Sequence, residues 1–351
     1  MIQWLQIIQN LIEKGEDLVQ ATIISQSGST PRSLGAKMII RPNGSLKGTI
    51  GGGLVEAEVL KMAAEVFKTR QAQIKKVDLA GVSAATVDRM ICGGHLEVLL
   101  EWVPADPVTI QESRDFIECL QKEPKGYLVK SWESGRLEFS QVKRSLIQKG
   151  EVVAGRFPGP PSWGSIITAK TVQERFPLLL TIEGQSFFVE PTIPPSTVFL
   201  LGAGHVSQQV AEVTALVGFR VVVLDDRPEF ANRARFPKAD QIIVIPSFER
   251  AFQNLEINSD SYIVIVTRGH VHDKTVLGQA LRRKAGYIGM IGSIRKRDLV
   301  YQTLLTEDFT TEDLKRVHCP IGLNIGGETP EEIAVSITAE LIQVRAEKSK
   351  S

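Results

Sequence analysis

Several short stretches of this sequence carry residue types that do chemistry. In Val198-Phe-Leu-Leu-Gly202-Ala-Gly204-His205-Val206-Ser207, an apolar strand-like run leads through Gly-x-Gly into helical spacing. That order turns backbone amides and a helix N-terminus toward a phosphate. The next apolar run ends at Asp225, where a carboxylate meets a ribose hydroxyl in dinucleotide-binding folds. Ser207 stands at the third glycine position, where close helix–strand packing prefers Gly or Ala, and Asp226-Arg227 leaves a 2′-phosphate open. The same turn also occurs in domains of this type that bind no dinucleotide.

The N-terminal half holds three more candidates. Gly28-Ser29-Thr30-Pro31-Arg32 precedes a hairpin-like pair of strands, and Thr49-Ile50-Gly51-Gly52-Gly53-Leu54-Val55-Glu56 leads into a helix. Three glycines before a helix let bare amides approach an anion, and Arg32 can add a planar donor fork. Tight turns needing positive φ account for such glycines equally well. Cys92, in Met90-Ile91-Cys92-Gly93-Gly94-His95, sits at a strand start before two glycines. A thiolate there suits molybdenum, copper or a persulfide, whereas a lone cysteine is ordinarily buried and inert. Cys119, within a helical run, takes that inert role, and Cys319 stays open. His270 and His272 offer an H-x-H pair without a third ligand, which loop histidines and capping by Asp273 explain as readily. Gly292-Ser293-Ile294-Arg295-Lys296-Arg297 opens a basic helix, either a second phosphate site or a solvated face.

Two regions must position these residues. Upstream of Pro191-Thr192-Ile193-Pro194-Pro195-Ser196, short β-rich runs are broken by Gly and Pro, with helices over 54–68 and 110–122. The region 1–190 reads as α+β, and 191–197 as a proline-rich linker. From 198 to 351, nearly unbroken apolar runs at 198–201, 220–224, 241–245, 262–266 and 287–291 alternate with helical stretches at 206–217, 248–254, 273–284 and 295–305. Strands buried on both faces look like this, so the C-terminal half is a Rossmann-like, doubly wound parallel sheet and the fold class is α/β. A closing helix begins at Thr329-Pro330-Glu331-Glu332 with a capping box. Of 351 residues, 41 are Lys or Arg and 40 Asp or Glu, which argues against a nucleic-acid partner. Three cysteines form no disulfide framework. The N-terminus lacks a basic leader, and no apolar run reaches the 18 or so residues of a membrane span, so a soluble, cytoplasmic protein without a membrane partner is expected.

Taken together, these segments resemble the XdhC/CoxI family, the xanthine dehydrogenase accessory factors. The resemblance rests on GSTPR at 28–32, GTIGGGLVE at 48–56, CGG at 92–94 and LGAGHVS at 201–207. TRGH at 267–270, YIGMIGSIRKR at 287–297 and PIGLNIGGETPEEIAVSI at 320–337 extend it. It implies a chaperone that binds the molybdenum cofactor (molybdopterin), supports its sulfuration and hands it to an apo xanthine dehydrogenase-type enzyme. Sulfuration on this protein and on a docked cysteine desulfurase both stay open, and a homodimer is expected. Neither the cysteine clusters of iron–sulfur centres nor the length for flavin and molybdenum domains is present, which argues against a xanthine dehydrogenase catalytic chain. The expected cofactor site comprises Arg32, Gly51, Gly52, Gly53, Cys92, Gly93 and Gly94, with Cys92 as metal ligand. Gly202, Gly204, His205 and Asp225 would hold NAD(P) or another nucleotide, whether free or attached to the pterin. Two rivals remain: an NAD(P)-dependent oxidoreductase with His270 as acid/base, and a nucleotide-sensing regulatory protein without chemistry.

Overall fold

The computed structural model describes residues 1–28, 32–78, 94–139, 142–171, 174 and 176–348. The chain divides into two compact units between Pro194 and Pro195. The first opens with helix α1 (Ile2–Ile12), whose Leu5, Ile8 and Ile12 recur at helical spacing and are buried. Strands β1 (Leu18–Ser27), β2 (Lys37–Ile40) and β3 (Leu46–Gly48) follow, then helix α2 (Gly53–Thr69) and strands β4 (Ala72–Asp78) and β5 (His95–Val103). Helix α3 (Pro107–Lys122) starts on Asp106, whose carboxylate accepts from the Thr109 amide at 2.7 Å, with proline in the first turn. Strands β6 (Gly126–Glu133), β7 (Glu138–Phe139), β8 (Lys143–Gln148) and β9 (Glu151–Gly155) come next, then helix α4 (Ser162–Thr171) and hairpin β10 (Leu178–Ile182) with β11 (Gln185–Thr192).

These strands form two antiparallel sheets, ordered β3-β2-β1-β5-β4-β7 and β10-β11-β6-β8-β9. Alternation along β1 sorts its side chains. Val19, Ala21 and Ile23 pack with Val55, Val59 and Val66 of α2, while Ile24 joins Leu99 against Trp132 and Phe188 of the second sheet. The linker expected over 191–197 begins later than its prolines suggest. Pro191 and Thr192 continue β11, opposite Tyr127 and Gly126 of β6. On the other side β10 reaches only Val189, so at Pro191 the missing N–H interrupts no ladder there.

Between the sheets the apolar contact gives way to a buried polar cluster. Lys130 Nζ donates to the Glu101 carboxylate and, at 3.1 Å, to Thr22 Oγ1. Gln20 Nε2 donates to Glu101 Oε1 at 3.0 Å, and Trp4 Nε1 donates to Gln20 Oε1 at 3.0 Å. Lys130, Glu101, Gln20 and Thr22 are all nearly solvent-free. Burial pushes the Lys130 pKa down, against the opposing pull of the Glu101 charge. Removing one member leaves the other charged in the interior, so Lys130→Met should cost about 3–5 kcal/mol in urea unfolding. Adding Glu101→Leu should recover much of that loss; a double variant no more stable than K130M would count against the pairing as its source.

The second unit alternates regularly: β12 (Thr197–Leu201), α5 (His205–Leu216), β13 (Arg220–Asp225), β14 (Gln241–Val244), β15 (Ser261–Ile265), α6 (His270–Leu281), β16 (Tyr287–Met290), α7 (Ile294–Leu305), α8 (Thr311–Leu314), β17 (Val317–His318) and α9 (Pro330–Glu347). All pairings are parallel, in the order β14-β13-β12-β15-β16-β17. Helices cover both faces. Val198, Leu200 and Val223 pack with Val210 of α5 and Ile337 of α9; Leu201, Leu224 and Ile265 pack with Val276 of α6 and Val300 of α7. The capping box at Thr329 and Glu332 is formed on both sides. A helix expected over 248–254 is only a 3₁₀ turn at Phe248–Arg250. Phe248, Ala251 and Phe252 are buried without further helix, and the chain turns at Asn254 with φ 62°.

Candidate functional site

The strand register gathers the N-terminal motifs. Ser27, last in β1, pairs with His95, first in β5, and His95 pairs with Asp78, last in β4. Strand β3 runs from Leu46 opposite Ile40 to Gly48 opposite Met38, heading toward that same end. Gly28 and Arg32 after β1, Gly51–Gly53 after β3, and Gly94 before β5 therefore all leave one end of the sheet. Arg32 is exposed and Gly94 buried. Cys92 and Gly93 lie outside the described residues. His95 Nδ1 stands 3.4 Å from Asp78 Oδ1 at this end. Sequence reasoning does not single this pair out, because its halves are joined only by the β4–β5 register.

The glycine corner has φ of 137°, 72° and 51° at Gly51, Gly52 and Gly53, a backbone that side-chain-bearing residues rarely adopt. Its amides are not bare, contrary to expectation. Gly51 N–H donates to Thr49 Oγ1 at 3.2 Å and Gly52 N–H to Glu56 Oε1 at 3.1 Å, while Thr49 Oγ1 donates to Glu56 Oε1 at 2.6 Å. A carboxylate from the helix's first turn thus fills the anion-binding concavity that the glycines create.

At the carboxyl edge of the parallel sheet the order reverses between β12 and β15, the place where ligands sit in open α/β sheets. Gly202 has φ 111°, and a Cβ there would lie 2.4 Å from the carbonyl oxygen of Val266, just after β15; only glycine fits this approach. Ser207, buried at the third position of the fingerprint, turns its hydroxyl back to the Gly202 carbonyl. Asp225 is 1% exposed. Its carboxylate accepts from the Ala203 amide at 2.8 Å, and from Arg227 Nε at 2.9 Å and Nη2 at 3.1 Å. The residue expected to read a ribose is therefore engaged in bracing the turn. Helix α5 begins after Gly204 without a side-chain cap, and His205 is exposed, so the N-cap residue supplies no acceptor to the first-turn amides. Phe230 lies beneath two guanidinium groups, 3.8 Å from Arg227 and 5.0 Å from Arg235.

The remaining sequence candidates separate. His270 and His272 are two apart on α6 and so point to different sides; His272 packs on Phe248 at 5.0 Å. Among the described residues, no three His, Cys, Asp or Glu are placed to hold a metal. Asp273, fully buried, accepts from Thr267 Oγ1 at 2.6 Å and pairs with Lys296, which ties Lys296 of the basic segment to the sheet edge. Burial raises the Cys319 thiol pKa to about 11, leaving it protonated and inert at neutral pH. Arg268 donates both terminal nitrogens to Asp226. These hydrogen bonds pull the Asp226 carboxyl down to about 2. Depression of this kind stabilises the fold above about pH 4 and is lost as pH falls through 2. With Arg268 39% exposed, solvent screening limits the pair to about 1 kcal/mol. Asp226→Asn should lower stability at pH 7 by that amount and flatten acid unfolding between pH 4 and 2, read by circular dichroism; an unchanged acid limb would exclude the pair as its source.

Comparison with known proteins follows the same two-part division. A family model described as XdhC and CoxI family matches residues 11–78, and one described as XdhC Rossmann domain matches residues 198–341. A Bacillus subtilis protein, named for a probable xanthine dehydrogenase subunit, is 28% identical over 345 residues, covering 95% of both chains. The molybdenum cofactor insertion chaperone PaoD of Escherichia coli is 22% identical, covering 94% of this chain and 84% of PaoD. Escherichia coli YqeB, an uncharacterized protein, is 26% identical along 95% of this chain, which spans only 45% of YqeB. A crystal structure described as a xanthine dehydrogenase from Bacillus halodurans superposes with a TM-score of 0.79 at 26% identity, covering 98% of this chain and 96% of that one. With both halves matched in order, and relatives aligned along nearly its whole length, the chain belongs to the XdhC and CoxI family.

Proposed function

We propose that this protein is an accessory factor that takes the molybdenum cofactor as cargo, supports its sulfuration and delivers it to a xanthine dehydrogenase-type molybdenum hydroxylase. What supports the reading is the β3–β2–β1–β5 pairing, in which Arg32, the Gly51–Gly53 corner and Gly94 leave one sheet end. A phosphate-bearing pterin with a dithiolene-bound metal needs a cation, amides and a soft ligand within one small region. Arg32 supplies the first, the segment around Gly93 and Gly94 the second, and Cys92 the third. Glu56 then acts as a placeholder anion in the corner, to be displaced or retained as the cargo enters. The names of the Bacillus subtilis relative and of PaoD support this assignment. The reading includes a cytoplasmic homodimer and an apo-hydroxylase client, with sulfuration either on this protein or on a docked cysteine desulfurase.

The uncapped N-terminus of α5 favours a second function for the Rossmann unit, binding a nucleotide phosphate through Gly202, Gly204 and His205. Engagement of Asp225 with Ala203 and Arg227 disfavours the standard dinucleotide mode, and with it the NAD(P)-dependent oxidoreductase.

Cys92→Ser should reduce molybdenum retained after incubation with cofactor and gel filtration roughly tenfold or more, since a lost soft ligand of about 1.4 kcal/mol is a factor of ten. Reconstitution of an apo-hydroxylase should slow in parallel. A variant that retains and transfers cofactor like the wild type would remove Cys92 from the site, and a wild-type protein that does neither would remove the function.

A further inference from the structure

A cavity of about 300 Å³ opens at the opposite end of α2 from the glycine corner. Helix α2 has 17 residues, so the two places are about 25 Å apart at 1.5 Å per residue. Its wall combines Arg70, which follows α2, with Trp102 near the end of β5, Arg144 of β8 and Arg156 beyond β9. Arg144 and Arg156 share one carboxylate, Glu112, at 3.2 Å each. Glu101, also in the wall, is neutralised by Lys130, and Asp106 is engaged in capping α3. Among the described residues no carboxylate lies within ion-pair distance of Arg70, whose guanidinium lies 5.1 Å above the Trp102 ring. Among the described residues the wall thus sets Arg70, Arg144 and Arg156 beside Glu101 and Asp106, with Glu112 behind Arg144 and Arg156. Arg144 Nε is buried without an acceptor among the described residues. Arg70 also holds φ 57°, the left-handed region where glycine is the favoured helix-ending residue.

We infer that this cavity binds a small planar anion, a heteroaromatic ring carrying one phosphate. The Arg70–Trp102 pair, already stacked on one another, offers the ring a single further stacking face. Arg144 and Arg156, pre-positioned by Glu112, offer fork-shaped donors to the phosphate. The size accommodates a mononucleotide or a phosphorylated pterin, at the small end of ligand pockets. The inference does not rest on the cargo role proposed for Cys92.

All four tryptophans, at positions 4, 102, 132 and 163, belong to the first unit, and loss of a quench in the Trp102→Phe variant assigns it to this site. Titration of the full chain with guanosine monophosphate should quench that fluorescence saturably, while guanosine or inorganic phosphate alone binds at least about tenfold more weakly, as expected when one of two contacts is lost. A parallel titration with a pterin monophosphate tells which ring the cavity prefers; tighter binding of either supports the site. Arg70→Gln and Arg156→Gln should each weaken binding about fivefold or more, with melting temperature near wild type, and Trp102→Phe should remove the quench while calorimetric binding persists. No saturable binding of either phosphate at millimolar concentration, or equal affinity in R70Q and R156Q, would overturn the inference. Cofactor retention measured on the same variants keeps its failure separate from that of the Cys92 site.

Discussion

Antiparallel pairing of β1 with β5 is the constraint on which the functional reading of the N-terminal unit depends. The pairing runs from Leu18 opposite Val103 to Ser27 opposite His95. Because side chains alternate, slipping the register by one residue would turn Val19, Ala21 and Ile23 away from α2 and expose them to the polar centre between the sheets. The apolar pattern therefore fixes the register, and the antiparallel order of the strands sets Ser27, last in β1, beside His95, first in β5.

The same unit carries a polar interior that packing alone would not favour. Lys130, Glu101, Gln20 and Thr22 satisfy one another between two apolar clusters, and a hydrophobic replacement of similar shape is ordinarily no less stable. Such a cluster fixes one sheet-to-sheet alignment, since each donor finds its acceptor only in that alignment. Glu101 belongs both to this cluster and to the wall of the arginine-lined cavity, so the structural pair also settles the charge that a ligand there would meet.

In the Rossmann unit the turn after β12 is shaped from three sides. Val266 leaves no room for a side chain at Gly202, Ser207 ties the helix back to the turn, and Asp225 anchors the Ala203 amide. Each of these contacts stiffens the approach to the α5 N-terminus while withdrawing a group from ligand recognition. The glycines of the fingerprint stand in their turn, while Asp225 is engaged with Ala203 and Arg227.

Much of this was legible in the sequence. Unbroken apolar runs at 198–201, 220–224 and 262–266 marked strands covered on both faces, because no exposed face requires a polar alternate. The Thr329–Glu332 box marked a helix start through hydrogen bonds confined to four residues, and the glycine and cysteine motifs marked the candidate segments. Other features joined residues far apart in the chain and lay beyond local pattern: Glu56 reaching into the glycine corner, Arg227 closing on Asp225 with the Ala203 turn, His95 beside Asp78, and Arg70, Arg144 and Arg156 around one cavity. The continuation of β11 through Pro191 likewise depended on where β10 stops. Residue type and spacing determined the elements and the chemical repertoire, since these follow from backbone periodicity and side-chain donors. Only the tertiary structure decided which amides, carboxylates and guanidinium groups were already taken, because that depends on pairing between strands and helices that the chain brings together only when folded.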